Sequence, residues 1–395
     1  EESEARGPHR PSPHDRDAGG FRRLLRYELQ GRRIDGALTF AILKCIFCES
    51  CISKTKFSST FAYFLAELSE TFPNAPSPPR RPEMSADTNP IATPEQHEVE
   101  LRALRLMEHP IVRKAKEEVR EHWLKAVSPN EELRARFDDS FEEVMFSAAV
   151  WSLNQDPQYP KVVTITRLPH TVGDLKIPGS RYGIDNPDSI YRVIPIDGNE
   201  RYVIRGRVAE KRLVENYFTL WDKNMNTVDV LSGHDLVLGP DRSFTITVDS
   251  EPANGRPNHI RSSPKAHEFY IRDVILDWAN DRPNTLSIEK LGPPRRPPLT
   301  EEEQARLTAQ YMRNFVDNTI RWNDQALRKP PNSFAFTIDR DTDGALRNQV
   351  YILGHFKLTD DEALILDVNT GGAKYFIAPI TNLWGVTNDI VNRTA

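Results

Sequence analysis

An arginine sits among aromatic rings in the run Phe269-Tyr270-Ile271-Arg272-Asp273-Val274-Ile275-Leu276-Asp277-Trp278. Two-residue alternation along a strand puts Tyr270, Arg272, Val274, Leu276 and Trp278 on one face, with Ile271, Asp273, Ile275 and Asp277 on the other. A guanidinium inside an apolar face must be ion-paired, stacked on a ring or turned into a polar pocket, because an isolated buried charge is prohibitive. Structural pairing and a ligand pocket both meet that demand. A second candidate lies between Tyr182 and Arg207. Tyr191 alternates with Ile190, Arg192 and Ile194, so it faces away from an aliphatic stripe. In Tyr202-Val203-Ile204-Arg205-Gly206-Arg207 the two arginines share a face and can grip a carboxylate or another anion bidentately. The competing account of Arg205 and Arg207 is a solvated face paired with nearby acids. Tyr217 and Trp221, in Asn216-Tyr217-Phe218-Thr219-Leu220-Trp221, supply further rings.

Templates of known catalytic chemistry are missing from the chain. It contains no Gly-x-Gly-x-x-Gly, no Gly-Lys-Ser/Thr phosphate cradle, no His-Glu-x-x-His and no Gly-x-Ser-x-Gly elbow. Asp138-Asp139 and Asp360-Asp361 read as solvated or capping acids, not as a catalytic pair. His259, His267 and Glu268 fit no standard metal spacing. Cys45-x-x-Cys48-x-x-Cys51 wants a fourth ligand that is not nearby, so a chance cluster is expected, with neither metal nor cofactor.

Net charge bounds the partners. The 395 residues carry −5, divided as +2 over residues 1–83 and −7 beyond, which offers no general attraction for nucleic acid or an anionic membrane. The most apolar run, Ala37 to Ile52, is broken by Lys44 and Glu49 and is too short to span a bilayer. All cysteines fall before Met84, so neither disulfides nor thiolates hold or drive the remainder. A soluble, cytoplasmic protein of open oligomeric state is expected.

Elements must then place these side chains. Residues 1–83, Pro- and Arg-rich at Gly7–Pro13 and Pro76–Pro82, read as a disordered or spurious extension ahead of a natural-looking start at Met84. Residues 84–160 carry helical periodicity, capped at Thr93-Pro94 and interrupted at His109-Pro110. The period then falls to two, and short strands with hairpin-scale turns over 161–291 predict an antiparallel β-sandwich. Residues 292–328 form a Pro-rich linker and a helix opened by a Thr300/Glu303 capping box. Residues 329–395 read as a β-meander that runs out at Trp384 with an open edge, as in a chain shortened at its C-terminus. The fold class is α+β: antiparallel sandwich or jelly-roll modules, an N-terminal helical part and one inter-module helix.

Asp185-Asn186-Pro187-Asp188-Ser189-Ile190-Tyr191 followed by Tyr202-x-Ile204-Arg205-Gly206 resembles the signature of the domain of unknown function 1214 family. Ile271-Arg272-Asp273, Asp277-Trp278 and Pro283–Glu289 look like its middle segment, and Leu358–Leu364, Tyr375-Phe376 and Asn382-x-Trp384 like the start of its C-terminal domain. The resemblance covers most of 95–395 and implies sandwich or jelly-roll modules behind helices, but no reaction and no catalytic residue. Relatives continue further past Trp384.

Two functions follow. In the first, a small, partly apolar organic molecule is bound or converted between sandwich and helices, with Tyr191, Arg205, Arg207 and Arg272 as polar anchors and Tyr217, Trp221, Tyr270 and Trp278 as lining. In the second, exposed aromatics on an open sheet serve a non-catalytic interaction or carbohydrate-recognition module. Whether Trp221 and Trp278 are enclosed or open separates the two.

Overall fold

The computed structural model describes residues 23–25, 39–46, 89–359, 361–370 and 372–387. Two strands come first, β1 (Arg23–Leu25) and β2 (Thr39–Ile46). Helices α1 (Pro94–Met107), α2 (Pro110–Val127), α3 (Glu131–Ala135) and α4 (Phe137–Ser152) follow. Their starts obey local chemistry. Thr93 accepts from the Gln96 N–H at 3.1 Å and Asn130 from the Leu133 N–H at 2.9 Å, and Pro94 and Pro110 occupy first-turn positions where no N–H is needed. The break expected at His109-Pro110 is there. From Val144 to Ser152 every residue of α4 is buried, so this helix is the axis of the core.

Eleven strands succeed the helices: β3 (Val163–Ile165), β4 (His170–Val172), β5 (Leu175–Ile177), β6 (Ser189–Pro195), β7 (Tyr202–Arg207), β8 (Glu215–Asp222), β9 (Thr227–Ser232), β10 (Ser243–Asp249), β11 (His259–Arg261), β12 (Ala266–Val274) and β13 (Thr285–Lys290). They build a five-stranded sheet, β3-β6-β12-β8-β9, and a four-stranded sheet, β11-β10-β7-β13, with a separate β4-β5 hairpin. Ile194, Phe218, Phe269 and Ile271 from the first sheet pack on Ile204, Phe244, Ile246 and Ile260 from the second. The class is α+β, as the periodicity predicts. One pair, β10 with β11, is parallel.

The five-stranded sheet has a second face, and this positions the site. Tyr191 stands opposite Arg272 on one side and Tyr217 opposite it on the other, with Thr219 beside Tyr270 and Trp221 beside Glu268. This face turns away from the sandwich interior and covers α4 together with α5 (Glu301–Leu327). The capping box of α5 forms as expected: Glu303 accepts from the Thr300 N–H at 2.8 Å, and Thr300 accepts from the Glu303 N–H at 3.3 Å.

The second β unit departs from the expected meander. Its strands are β14 (Ser333–Ile338), β15 (Gln349–Phe356), β16 (Leu366–Val368), β17 (Tyr375–Ile377) and β18 (Ile380–Thr381). Between β15 and β17 lies β2, antiparallel to both, and β16 pairs with β1. Strands from the segment expected not to fold thus complete this sheet, through backbone hydrogen bonds that any extended residue can make. The rest of 1–83, including Cys48 and Cys51, and everything after Thr387 lie outside the described residues. No helix of the described residues is long and apolar enough to cross a membrane.

Candidate functional site

A cleft of about 90 Å³ opens where three parts of the chain meet. The stacked rings of Trp221, Tyr270 and Trp151 form its floor, and Trp322 from α5, the loop Asp343–Ala345 bonded to it and Tyr351 continue the lining. A water needs roughly 10–15 Å³ of such space, so the cleft admits several waters or one small organic molecule.

The floor is a ladder of rings. Tyr270 stacks on Trp221 at 4.2 Å and 13°, and on Trp151 at 5.7 Å and 23°. Behind them Tyr182 lies flat on Phe315 at 3.6 Å. Offset stacks contribute about 0.5–1.5 kcal/mol each beyond burial, a range that applies to the Tyr270–Trp151 pair with its centres 5.7 Å apart.

Arg272 crosses the end of that ladder. Its guanidinium carbon is 4.8 Å from the Tyr270 ring centre and 5.5 Å from that of Trp221. Nη2 donates to the Gly344 carbonyl at 2.6 Å. Nη1 is buried without a hydrogen-bond partner, and no carboxylate pairs with the guanidinium among the described residues, although the residue is only 9% exposed. Cation–π contact supplies about 2 kcal/mol in a desolvated setting, which offsets only part of the cost of removing a cation from water. The indole N–H of Trp221 is also buried and lacks a partner.

Neighbouring tyrosines do not supply the counter-charge. Burial raises the phenols of Tyr191, Tyr270 and Tyr351 above the ordinary tyrosine value, while Arg272 offsets part of that rise. All stay neutral at physiological pH. Asp343, which also lines the cleft, is already engaged: it accepts from Arg321 Nη2 and Nη1 at 2.8 and 2.9 Å and from Trp322 Nε1 at 3.2 Å. This tie anchors the loop to α5. Gly344, at φ +83, makes the left-handed turn that aims its carbonyl at Arg272, while its N–H donates to the Met225 carbonyl at 3.0 Å.

The residues expected to form a site divide cleanly. Tyr191, Tyr217, Trp221, Tyr270 and Arg272 share the cleft-side face, and Trp221, Tyr270 and Arg272 line the cleft itself. Tyr217 is turned to Asn348, whose Nδ2 donates to its hydroxyl at 3.3 Å. Arg205 and Arg207 are misplaced as anchors. They lie on β7 in the outer sheet, about half exposed, paired with Glu289 at 2.5 Å and Asp241 at 2.8 Å. Trp278 falls beyond β12, which ends at Val274, so alternation no longer governs it; it is 38% exposed and bonded to Asp188.

Sequence reasoning missed Trp151, Trp322 and the Asp343-Gly344 turn. The signal for the last was the Asp341-Thr342-Asp343-Gly344 turn sequence, which marks a tight turn but not its neighbours. The Asp185–Tyr191 motif proves to be a joint. The Asn186 N–H donates to the Tyr191 hydroxyl at 2.8 Å, and the Tyr375 hydroxyl of the second β unit lies 3.1 Å from Asn186 Oδ1 and 2.9 Å from Asp188 Oδ2.

No family model matches the chain. No curated protein matches it either. A solved structure of an uncharacterized protein from Burkholderia cenocepacia is similar: 20% identical, spanning 62% of this chain and 68% of its own, with a TM-score of 0.49.

Proposed function

We propose that the chain binds a small, partly apolar organic molecule in the cleft between the sandwich, the helices and the second β unit. The stacked Trp221–Tyr270–Trp151 floor beside a buried arginine is the observation that carries this. The lining offers flat apolar surface and hydrogen-bond donors, whereas its tyrosines are poor bases and its one acid, Asp343, is held by Arg321 and Trp322. Those features favour binding over catalysis. Of the two rings that separate the readings, Trp221 is 3% exposed and supports the enclosed one, whereas Trp278 is 38% exposed and lies outside the cleft. Membership in the domain of unknown function 1214 family is part of the same proposal, and rests on the motifs around Asp185–Gly206 and Leu358–Trp384.

Calorimetric titration tests the cleft directly. Uncharged aromatic probes, benzamide and phenylacetamide, are expected to bind the native chain weakly. Ile338→Phe, which adds bulk at the partly exposed mouth, should weaken them at least about tenfold (1.4 kcal/mol). Binding unaffected by that substitution would place the probes elsewhere and end the proposal.

A further inference from the structure

Resting on that proposed cleft, we infer that its natural ligand is a monoanion: a carboxylate carried on a flat, aromatic body. The cleft presents one buried cation, and no acid among the described residues forms an ion pair with it, although buried Asp185 acts on the same Tyr191 and Tyr270 phenols. The carboxylate of Asp343 belongs to Arg321 and Trp322. Glu268, two residues from Tyr270 along β12, accepts from Trp151 Nε1 at 2.9 Å and Gln155 Nε2 at 2.8 Å. It stands four strand residues from Arg272, roughly 13 Å at the usual rise, and does not line the cleft.

Polar satisfaction leads to the same place. Buried donors in native proteins usually find acceptors; Arg192 Nε and Trp123 Nε1, away from the cleft, lack one, and so do Arg272 Nη1 and Trp221 Nε1. The latter two residues line the cleft, and the Arg272 guanidinium lies over the Trp221 ring. What the site lacks is therefore an acceptor bearing one negative charge. A carboxylate supplies it with the planar geometry that a guanidinium matches best. A phosphate dianion would bring more charge than the one uncompensated cation neutralises, in a space of about 90 Å³. The ring ladder sets the shape of the remainder, because a plane slides against Trp221 and Tyr270 where a branched or bulky chain does not.

Matched pairs of probes test this on the full chain by calorimetry: benzoate with benzamide, phenylacetate with phenylacetamide, and phenyl phosphate alongside. The acids should bind on the order of 10- to 100-fold tighter than their amides, and phenyl phosphate no better than benzoate. In Arg272→Met the acids should fall to the level of the amides. An unchanged thermal midpoint shows that this variant folds; if it does not fold, Arg272→Lys serves, and should keep part of the preference. Equal affinity of acid and amide in the native chain, a preference surviving Arg272→Met, or tighter phenyl phosphate each overturns the carboxylate assignment. In all three cases the amides still occupy the cleft, so the binding function stands. If no pair binds, both fall together.

Discussion

Two arginines, Arg192 and Arg272, come from neighbouring strands of one sheet and point to its opposite faces. Arg192 on β6 pairs in register with Ile271, and Arg272 on β12 with Tyr191, so they are one step apart. Arg192, 1% exposed, gives Nη2 to Asp273 at 2.5 Å and Nη1 to the Asn284 carbonyl at 2.6 Å. Asn216 completes the network by donating to Asp273 at 2.6 Å. Arg272, nearly as buried, has one carbonyl, two rings and no acid. Each guanidinium leaves one nitrogen without a partner, Nε of Arg192 and Nη1 of Arg272, so what separates the two faces is the carboxylate that, among the described residues, only Arg192 pairs with. A buried cation left without an acid beside a cavity is what the proposed carboxylate answers.

Substitution should separate the two faces most sharply. Arg192→Met strands Asp273 in the interior and is expected to cost about 3–5 kcal/mol, read by urea unfolding. Arg272→Met leaves no orphaned partner charge and should stay within about 1 kcal/mol of the native chain. Equal losses would mean that Arg272 is as structural as Arg192. Between these two falls Gly344→Ala, since a Cβ at φ +83 is strained by about 1–2 kcal/mol. That variant should also weaken carboxylate binding, because it disturbs the carbonyl that orients Arg272.

The smallest expected effect concerns pH. Folded-state phenols of Tyr191, Tyr270 and Tyr351 titrate above the ordinary value of about 10. Their contribution to stability is complete below that value and is lost as pH rises above it, because the unfolded chain ionises first. Arg272 holds these phenols lower than burial alone would. Because the folded phenols stay protonated well above the ordinary value, unfolding midpoints measured between about pH 9 and 11 should fall with the same slope in Arg272→Met and in the native chain. A steeper fall in the variant would show that Arg272 brings one of these phenols into that window.

Alternation alone located much of this. Tyr270 and Arg272 share a face because β12 is regular from Glu268 to Val274, and Tyr191 joins them because it alternates against Arg192 and Ile194. Past Val274 the regularity ends, which is why Trp278 leaves the face. Period two also cannot say which sheet is covered by helices; Arg205 and Arg207 have the right spacing in a sheet whose outer side meets solvent. Trp151, Trp322 and Gly344 reach the cleft from two helices and a distant loop, and no local pattern records such a meeting. The meander failed for the same reason: β2 enters from more than 300 residues away in sequence to lie between β15 and β17.

The placement of the Asp343–Ala345 loop has a consequence for cooperativity. This loop belongs to the C-terminal part of the chain, yet it bonds to Arg272 and Met225 of the sandwich and to Arg321 of the long helix. A ligand in the proposed cleft would touch all three parts at once, so opening of any one of them would release it, and the unfolding midpoint would rise with ligand concentration.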